Sequence, residues 1–210
     1  MSWRSYIFPR ILERFNTPYN KDVRVIEEHG KYKLLVHGSR QSGEYIKTLW
    51  QEALSSFGII PSPDIKRILV LGVAGGTVIH MLHTIYPKAQ IMGVDIDERM
   101  IAVGKKYFGL GGVNIVVDDA RRFVKRSHKK WDLIVVDLFI GASIPPFVGE
   151  EEFLVQLKHM LVPGGKVLIN YLYELEYIRL SDLFLVKLRK LFRKASDFRI
   201  YFNRFFFVVK

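Results

Sequence analysis

The sequence contains no cysteine and no apolar run of the length that a membrane span needs. Without cysteine the chain forms no disulfide, thiolate metal site or thiol nucleophile, a composition typical of intracellular proteins. A membrane-spanning helix takes roughly 18 or more consecutive apolar residues. The N-terminal stretch M-S-W-R-S-Y-I-F-P-R also lacks the uninterrupted apolar core of a signal peptide. We therefore expect a cytoplasmic protein without membrane contact.

Acidic residues are few beside the basic ones. The 210 residues include 32 Lys and Arg against 21 Asp and Glu, which gives a formal net charge of +11. Much of the excess lies in two segments, 121–130 and 187–194. Basic segments of this kind can bind a polyanion such as nucleic acid through its phosphates, although solvated helix faces are the commoner explanation. A polyanion contact through these basic helices stays open as a second kind of partner.

From Ile68 onward, short apolar segments alternate with helix-like segments. The strand-like segments are 67–71, 90–94, 113–117, 133–137 and 166–171. The helix-like segments are 76–86, 97–108, 120–127 and 150–161, followed by 176–192. Short, almost continuously apolar strands separated by helices are typical of a parallel sheet covered on both faces. The predicted fold class is α/β, doubly wound.

A turn of small residues follows the first strand-like segment, and an acid, Asp95, closes the second. The turn consists of Gly72, Val73, Ala74, Gly75 and Gly76. Such a turn lets the backbone approach a nucleoside cofactor, while the acid is placed for a ribose hydroxyl. The dinucleotide fingerprint G-x-G-x-x-G and the phosphate-binding P-loop are both absent. The pattern therefore favours an S-adenosylmethionine (AdoMet) site, with a turn that merely packs a helix on a strand as the alternative.

The two ends of the chain differ from the alternating middle. The aromatic-rich stretch 198–209 predicts two strands joined tightly at Asn203-Arg204, and a terminal antiparallel hairpin after five parallel strands is the plan of class I methyltransferases. Segments 22–27 and 32–37 predict another hairpin, followed by a helix over 45–57. We predict two domains: a small N-terminal β-hairpin and lid-like helix domain, residues 1–60, and a Rossmann-like AdoMet-binding domain, residues 61–210.

Acids also follow the third and fourth strands. Asp118, Asp119 and Ala120 come after the third, and Asp137 ends the fourth. Because the carboxyl ends of parallel strands open onto one crevice, we expect these residues to share a site with the glycine turn and Asp95. Each acid can instead cap a helix, which for Asp119 taken alone is the simpler explanation.

Several segments resemble the spermidine synthase (polyamine aminopropyltransferase) family. They are Thr17-Pro18-Tyr19-Asn20, Gly38-x-x-Gln41 with Gln51-Glu52, Asp95-Ile96-Asp97, and Val117-Asp118-Asp119-Ala120. The resemblance implies a small strand domain ahead of a methyltransferase-like Rossmann domain, and a homodimer. It also implies that Asp95 and Ile96 hold the ribose, that Asp119 and Ala120 hold the adenine, and that Gln41 lies in the segment that closes over the site.

The chain departs from this family at positions associated with a polycationic amine. Gly75 stands where the family's glycine loop carries an acid, and Ile140 stands where its D-S-S-D motif has the second acid. Ile46 and Lys47 occupy positions where acids are common, and Lys47 would repel such a substrate. An acid at position 75 would repel the carboxylate of AdoMet by about 1 to 4 kcal/mol at ~4 Å for dielectric constants of ~80 to ~20. Its absence opens the site to AdoMet itself.

The acceptor pocket is predicted from residues near these motifs. They are Trp50, Glu52, Phe139, Ile140 and Tyr171, with Phe147 and Tyr173 nearby. Asp137 is the candidate catalytic residue, because it is the acid expected close to the transferred group. His80 and His83 lie three residues apart, but no third ligand is placed beside them, so we expect no metal site.

These patterns lead to one hypothesis and two alternatives. The leading prediction is an AdoMet-dependent methyltransferase that acts on a small-molecule acceptor. The first alternative is an aminopropyltransferase that uses decarboxylated AdoMet, with Asp137 or Glu52 as its base. The second is a non-catalytic protein that binds a nucleoside or nucleic acid. The expected cofactor is AdoMet, decarboxylated AdoMet or methylthioadenosine.

Overall fold

The computed structural model describes residues 8–40 and 43–210, without the side chains of residues 39 and 40. A small antiparallel sheet comes first, with its strands side by side in chain order. The strands are β1 (Arg10–Phe15), β2 (Val23–Glu28), β3 (Lys31–Val36) and β4 (Ser39–Arg40). The predicted hairpin is confirmed as β2 and β3, joined by His29 and Gly30, both with positive φ. Strands β1 and β4 were not predicted, and Gln41 lies outside the described residues.

A larger sheet of seven strands follows. Its strands are β5 (Arg67–Leu71), β6 (Gln90–Asp95), β7 (Asn114–Val117), β8 (Trp131–Val136), β9 (Leu161–Leu172), β10 (Lys194–Ile200) and β11 (Asn203–Val209). Their spatial order is β10-β11-β9-β8-β5-β6-β7. Strands β5 to β9 are parallel, whereas β11 runs antiparallel to β9 and β10 antiparallel to β11. The predicted doubly wound sheet with a terminal hairpin is therefore confirmed.

Helices cover both faces of the large sheet. They are α1 (Glu44–Ser56), α2 (Thr77–Ile85), α3 (Glu98–Tyr107), α4 (Ala120–Arg126), α5 (Glu151–Met160) and α6 (Glu176–Leu191). Phe123, Leu157 and Phe184, from α4, α5 and α6, belong to the core on one face, while Trp50 of α1 and Leu82 of α2 belong to the core on the other. Among the described helices, none is long and apolar enough to pass through a membrane.

Two helices connect the N-terminal part of the chain to the large sheet. Helix α1 places Trp50 edge-on to Phe205 of β11, with 5.0 Å between ring centroids. Helix α3 packs Met100 and Val103 against Val25 and Leu34 of the small sheet. The helix expected to be lid-like thus packs on the large sheet. The division between residues 60 and 61 stays a prediction.

The turn of the terminal hairpin lies two residues earlier than predicted. Strand β10 pairs with β11 up to Ile200 and Asn203, so Tyr201 and Phe202 form the turn. Arg204 is inside the sheet and 1% exposed, because its guanidinium contacts Asp197 at 2.8 Å, Asp182 at 2.5 Å and the Ser181 hydroxyl at 2.9 Å. The polar pair Asn203-Arg204 resembled a turn, but ion pairs with Asp182 and Asp197 hold its arginine in the strand.

Candidate active site

A cavity of about 520 Å³ opens where the carboxyl ends of the parallel strands meet α1 and the segment around Tyr19. Its predicted nucleoside half consists of Gly72, Val73, Ala74, Asp95, Ile96, Asp118, Asp119 and Ala120. The opposite side, which we name the acceptor half, is lined by Tyr45, Ile46, Leu49, Trp50, Asp137, Leu138, Phe139, Ile140, Phe147, Asn170, Leu172, Glu174 and Asn203. The structure thus brings most of the predicted site residues together around one space, while their binding roles stay predictions.

The turn after β5 approaches the end of β8 very closely. Gly72 has a φ of +88°, and a Cβ atom at this position would lie 2.0 Å from the carbonyl oxygen of Asp137. No side chain fits there. Gly75 and Gly76 are buried and are not among the residues that line the cavity. Three of the five predicted turn residues therefore face it.

The carboxylate of Asp95 holds this turn in shape. One oxygen accepts hydrogen bonds from the backbone N–H groups of Val73 at 2.8 Å and Ala74 at 3.1 Å, and the other accepts from Asp97 N–H at 2.9 Å. The turn is predicted to let the backbone approach a cofactor, but the N–H groups of Val73 and Ala74 are already bonded within the chain. Burial raises the pKa of Asp95, while the three backbone hydrogen bonds oppose the shift.

The two acids after β7 have different partners. Asp118 is 2% exposed and pairs with the guanidinium groups of Arg122 and Arg126. Asp119 caps α4 by accepting a hydrogen bond from the Arg122 N–H at 2.8 Å. The simpler explanation of Asp119 as a helix cap is therefore confirmed. Both acids and Ala120 still line the cavity, which keeps the predicted adenine contact open.

Much of the basic segment 121–130 is neutralised within the chain. Arg121 contacts Glu150 at 2.6 Å and Lys125 contacts Glu152 at 3.5 Å, in addition to the two arginines paired with Asp118. Such internal pairing leaves less positive charge for phosphates. The contact with a polyanion stays a prediction, and these ion pairs are evidence against it.

Asp137 lies directly after β8 and faces the cavity from its floor. Its Oδ1 accepts a hydrogen bond from Asn170 Nδ2 at 2.9 Å, and Asn170 Oδ1 accepts one from Asn203 Nδ2 at 2.9 Å. Burial raises the pKa of Asp137 to about 6; the charge of Asp95 adds to the shift and the Asn170 hydrogen bond opposes it. A carboxyl group with this pKa exchanges protons close to neutral pH.

Two residues predicted for the acceptor pocket lie elsewhere. Tyr171 is 6% exposed and stacks on Phe184 at 5.0 Å between centroids. Because strand residues alternate between faces, Asn170 and Leu172 face the cavity in its place. Glu52 is exposed on α1 and is not among the cavity residues, which removes it as a candidate base. Trp50, Phe139 and Ile140 line the cavity as predicted.

The predicted repulsion by Lys47 has no counterpart in the cavity. Ile46 lines it, whereas Lys47 is exposed on α1 and does not. One acid of the acceptor half, Glu174, escaped the sequence analysis. It lies just after β9 in a segment with no local motif, so only the path of the strand could have indicated it.

Hydrogen bonds of Asn20 hold the segment 17–20 beside the cavity. Asn20 Nδ2 donates to Asp97 Oδ2 at 3.0 Å, and Asn20 Oδ1 accepts from the Gly141 N–H at 3.2 Å. The Thr17 hydroxyl donates to the same Asp97 oxygen at 2.5 Å. The segment thus bridges the start of α3 and the chain after β8, and so forms one wall of the site.

No metal centre is apparent in the described ranges 8–40 and 43–210, where no three His, Asp or Glu side chains are grouped as ligands. The ring of His80 hydrogen-bonds with the carbonyl oxygen of Phe108 at 2.6 Å, a structural contact on α2.

Comparisons with known proteins identify similar sequences and folds. The sequence model of the spermine/spermidine synthase domain matches residues 47–200. The polyamine aminopropyltransferase of Vibrio vulnificus is 31% identical over 119 residues, which are 54% of this chain and 40% of that protein. The eEF1A lysine and N-terminal methyltransferase homolog of Drosophila melanogaster is 29% identical over 154 residues, which are 67% of this chain and 22% of that protein. The chain therefore spans less than half the length of these two relatives.

Among solved structures, a probable spermidine synthase from Corynebacterium glutamicum ATCC 13032 has a similar fold. It superimposes with a TM-score of 0.79 at 19% sequence identity and covers 95% of this chain and 80% of its own. This likeness covers both the small and the large sheet.

Proposed function

The chain belongs to the spermine/spermidine synthase family, and from that premise we propose that it transfers an aminopropyl group from decarboxylated AdoMet to an amine. Relatives named polyamine aminopropyltransferase support this reaction over methyl transfer, the leading prediction from the sequence. The proposal covers cofactor, acceptor and activity together.

The charge of the cavity carries this proposal. The charged side chains that line it in the described part of the chain are all acidic: Asp95, Asp119, Asp137 and Glu174, together with Asp118, whose charge two arginines already neutralise. A sulfonium nucleoside and a protonated amine are both cations. A cleft lined by one sign of charge concentrates ligands of the other sign, even on a protein whose net charge is +11.

The floor of the cavity supplies a base. An amine attacks only as the neutral form, so the proton of the ammonium must leave before or during transfer. In the proposed step this proton goes to Asp137 as the amine nitrogen bonds to the aminopropyl carbon. The bond from that carbon to sulfur breaks with its electron pair on sulfur, which leaves methylthioadenosine as the neutral product.

The nucleoside half would bind the leaving group, methylthioadenosine. In the proposal, the backbone of Gly72, Val73 and Ala74 lies along the sulfonium side chain, while Asp95 and Ile96 face the ribose. The Asp95 carboxylate already accepts three hydrogen bonds from backbone N–H groups. A ribose hydroxyl would donate to a remaining lone pair of this carboxylate. Asp119 and Ala120 would contact the adenine.

Methyl transfer from AdoMet is the second candidate, and one observation favours it. The turn from Gly72 to Gly76 carries no acid to repel the AdoMet carboxylate. The Drosophila melanogaster relative named as a methyltransferase homolog gives this reading further support.

Product analysis separates the two reactions. Purified protein is incubated with 1,4-diaminobutane and either decarboxylated AdoMet or AdoMet, and the nucleoside product is identified by mass spectrometry. We expect methylthioadenosine and an aminopropylated amine from the decarboxylated compound. Formation of S-adenosylhomocysteine from AdoMet, with no methylthioadenosine from its decarboxylated form, would support the methyltransferase instead.

A further inference from the structure

Three polar side chains from separate parts of the large sheet form a connected row at the cavity floor. Asp137 follows β8, Asn170 lies in β9 and Asn203 begins β11. Asn170 Nδ2 donates to Asp137 Oδ1 and Asn203 Nδ2 donates to Asn170 Oδ1, both at 2.9 Å. Asn170 is 5% exposed, and a buried amide in an apolar strand is costly unless both of its ends are bonded.

Asn203 determines which end of the Asn170 amide faces Asp137. A carboxamide has one accepting oxygen and one donating NH₂ group. Because Asn203 donates to the oxygen of Asn170, the NH₂ group of Asn170 faces Asp137. The reversed amide would place two oxygens against each other at that contact. Among the described hydrogen bonds, none joins Asn203 to Asp137 directly, so Asn203 acts through Asn170.

We propose that Asn170 and Asn203 are positioning residues that orient the carboxyl group of Asp137 for proton transfer, an inference that rests on the proposed function. With Oδ1 engaged by Asn170, Oδ2 is the oxygen that takes the proton of the amine. The two amides hold the plane of the carboxyl group and keep a donor against its other oxygen.

Other charged groups near Asp137 act in the opposite sense. Asp95 reaches it from the end of β6, and Glu174 lines the same cavity beyond β9. The cavity residues of α1 are uncharged, and no Lys, Arg or His lines the described cavity. Asn170 is therefore the neighbour that favours the ionised carboxylate, while burial and Asp95 oppose it.

Titration of the Asp137 side chain by carbon-13 NMR tests the proposal on the full chain without turnover. The carboxyl resonance is assigned by its loss in Asp137→Asn. Asn170→Leu removes the donor and should move the titration midpoint upward by about one pH unit. Asn203→Ala should raise the midpoint by a smaller amount. Asn203→Gln keeps an amide donor, so its midpoint should equal that of the native chain. Asn114→Ala, at the exposed start of β7, is the matched control and should leave the midpoint unchanged.

Each outcome decides the matter. An unchanged or lower midpoint in a folded Asn170→Leu variant overturns the proposal, as does an unchanged midpoint in Asn203→Ala. Thermal melting reports folding, and the half-buried Asn203 supplies the deciding variants if Asn170→Leu does not fold. If the midpoints shift in the variants but the native chain transfers nothing to the amine, the positioning pair is retained and the proposed function is rejected. Amine transfer by the native chain together with unchanged midpoints in the variants would support the proposed function and reject the positioning pair.

Discussion

The two halves of the cavity are built by different means. The nucleoside half comes from a turn and from acids at consecutive strand ends, and its carboxylates already bond to their own chain: Asp95 to the turn and Asp118 to two arginines. The acceptor half combines α1, the chain after β8 and strands β9 and β11, and its walls are mainly apolar. Among the described contacts its two acids, Asp137 and Glu174, form no ion pair, and Asp137 accepts a hydrogen bond from Asn170.

This contrast indicates where each half draws its specificity. In the nucleoside half, an acid fixes the backbone of the turn, and under the proposed function the shape of that backbone would select the ligand. In the acceptor half, under the proposed function, two carboxyl groups within an apolar wall would select a cationic acceptor directly, since charges count for more where water is scarce. Substitutions in the first half should therefore affect binding and folding together, and those in the second should affect chemistry.

The largest expected effect is that of Gly72→Ala in the nucleoside half. Its Cβ would lie 2.0 Å from the Asp137 carbonyl oxygen, at a φ of +88°. We expect loss of nucleoside binding by calorimetry and destabilisation by about 1 to 3 kcal/mol or more in thermal melts. Gly111→Ala is the control, because no atom lies within 4 Å of its added methyl group. Native-like binding of methylthioadenosine by the Gly72 variant would contradict the close approach.

Asp137→Asn should come next and should separate chemistry from binding. We expect the transfer rate to fall by about 100- to 10,000-fold, because a general base is removed, while calorimetry shows the affinity for methylthioadenosine nearly unchanged. Near-native turnover would exclude Asp137 as the base.

The same group should set the acid limit of the native rate. The pKa of Asp137 is raised to about 6, so the base form is lost as the pH falls through that value and is present above it. The ratio kcat/KM for decarboxylated AdoMet, which reports groups of the free protein, should decline below about pH 6 when it is measured from about pH 5 to pH 8. A profile that stays flat to pH 5 would place the titrating base elsewhere.

A smaller effect is expected from Glu174→Gln in the acceptor half. Glu174 lines the cavity and is half-buried, so loss of its charge should raise the KM for 1,4-diaminobutane by roughly two- to fivefold with little change in kcat. Glu176→Gln, exposed in the first turn of α6, is a matched neighbour and should behave like the native chain. Equal KM values for the two variants would remove Glu174 from acceptor recognition.

The smallest effect is expected from Glu52→Gln. The side chain is exposed on α1 and outside the cavity, so steady-state kinetics should match those of the native chain within experimental error. A large fall in kcat would restore Glu52 as a candidate base.

The same contrast explains which features could be predicted. Strand β5 was predicted at its observed bounds, and the residues of the nucleoside half were recognised because they follow strand ends within short motifs. Asn170 and Tyr171 are neighbours in β9, and which of them faces the cavity depends on the pairing of β9 with β8 and β11. The position of Glu174 likewise depends on tertiary structure. Arg204 was misassigned to a turn because its partners, Asp182 and Asp197, are distant in sequence or across the hairpin.

The acids of the cavity, rather than the net charge of the chain, should determine which sulfonium compound binds. Calorimetric titration of the native protein with decarboxylated AdoMet and with AdoMet tests it directly. We predict about tenfold tighter binding of decarboxylated AdoMet, because AdoMet brings an additional carboxylate into an acidic cavity. Equal or tighter binding of AdoMet would contradict the account.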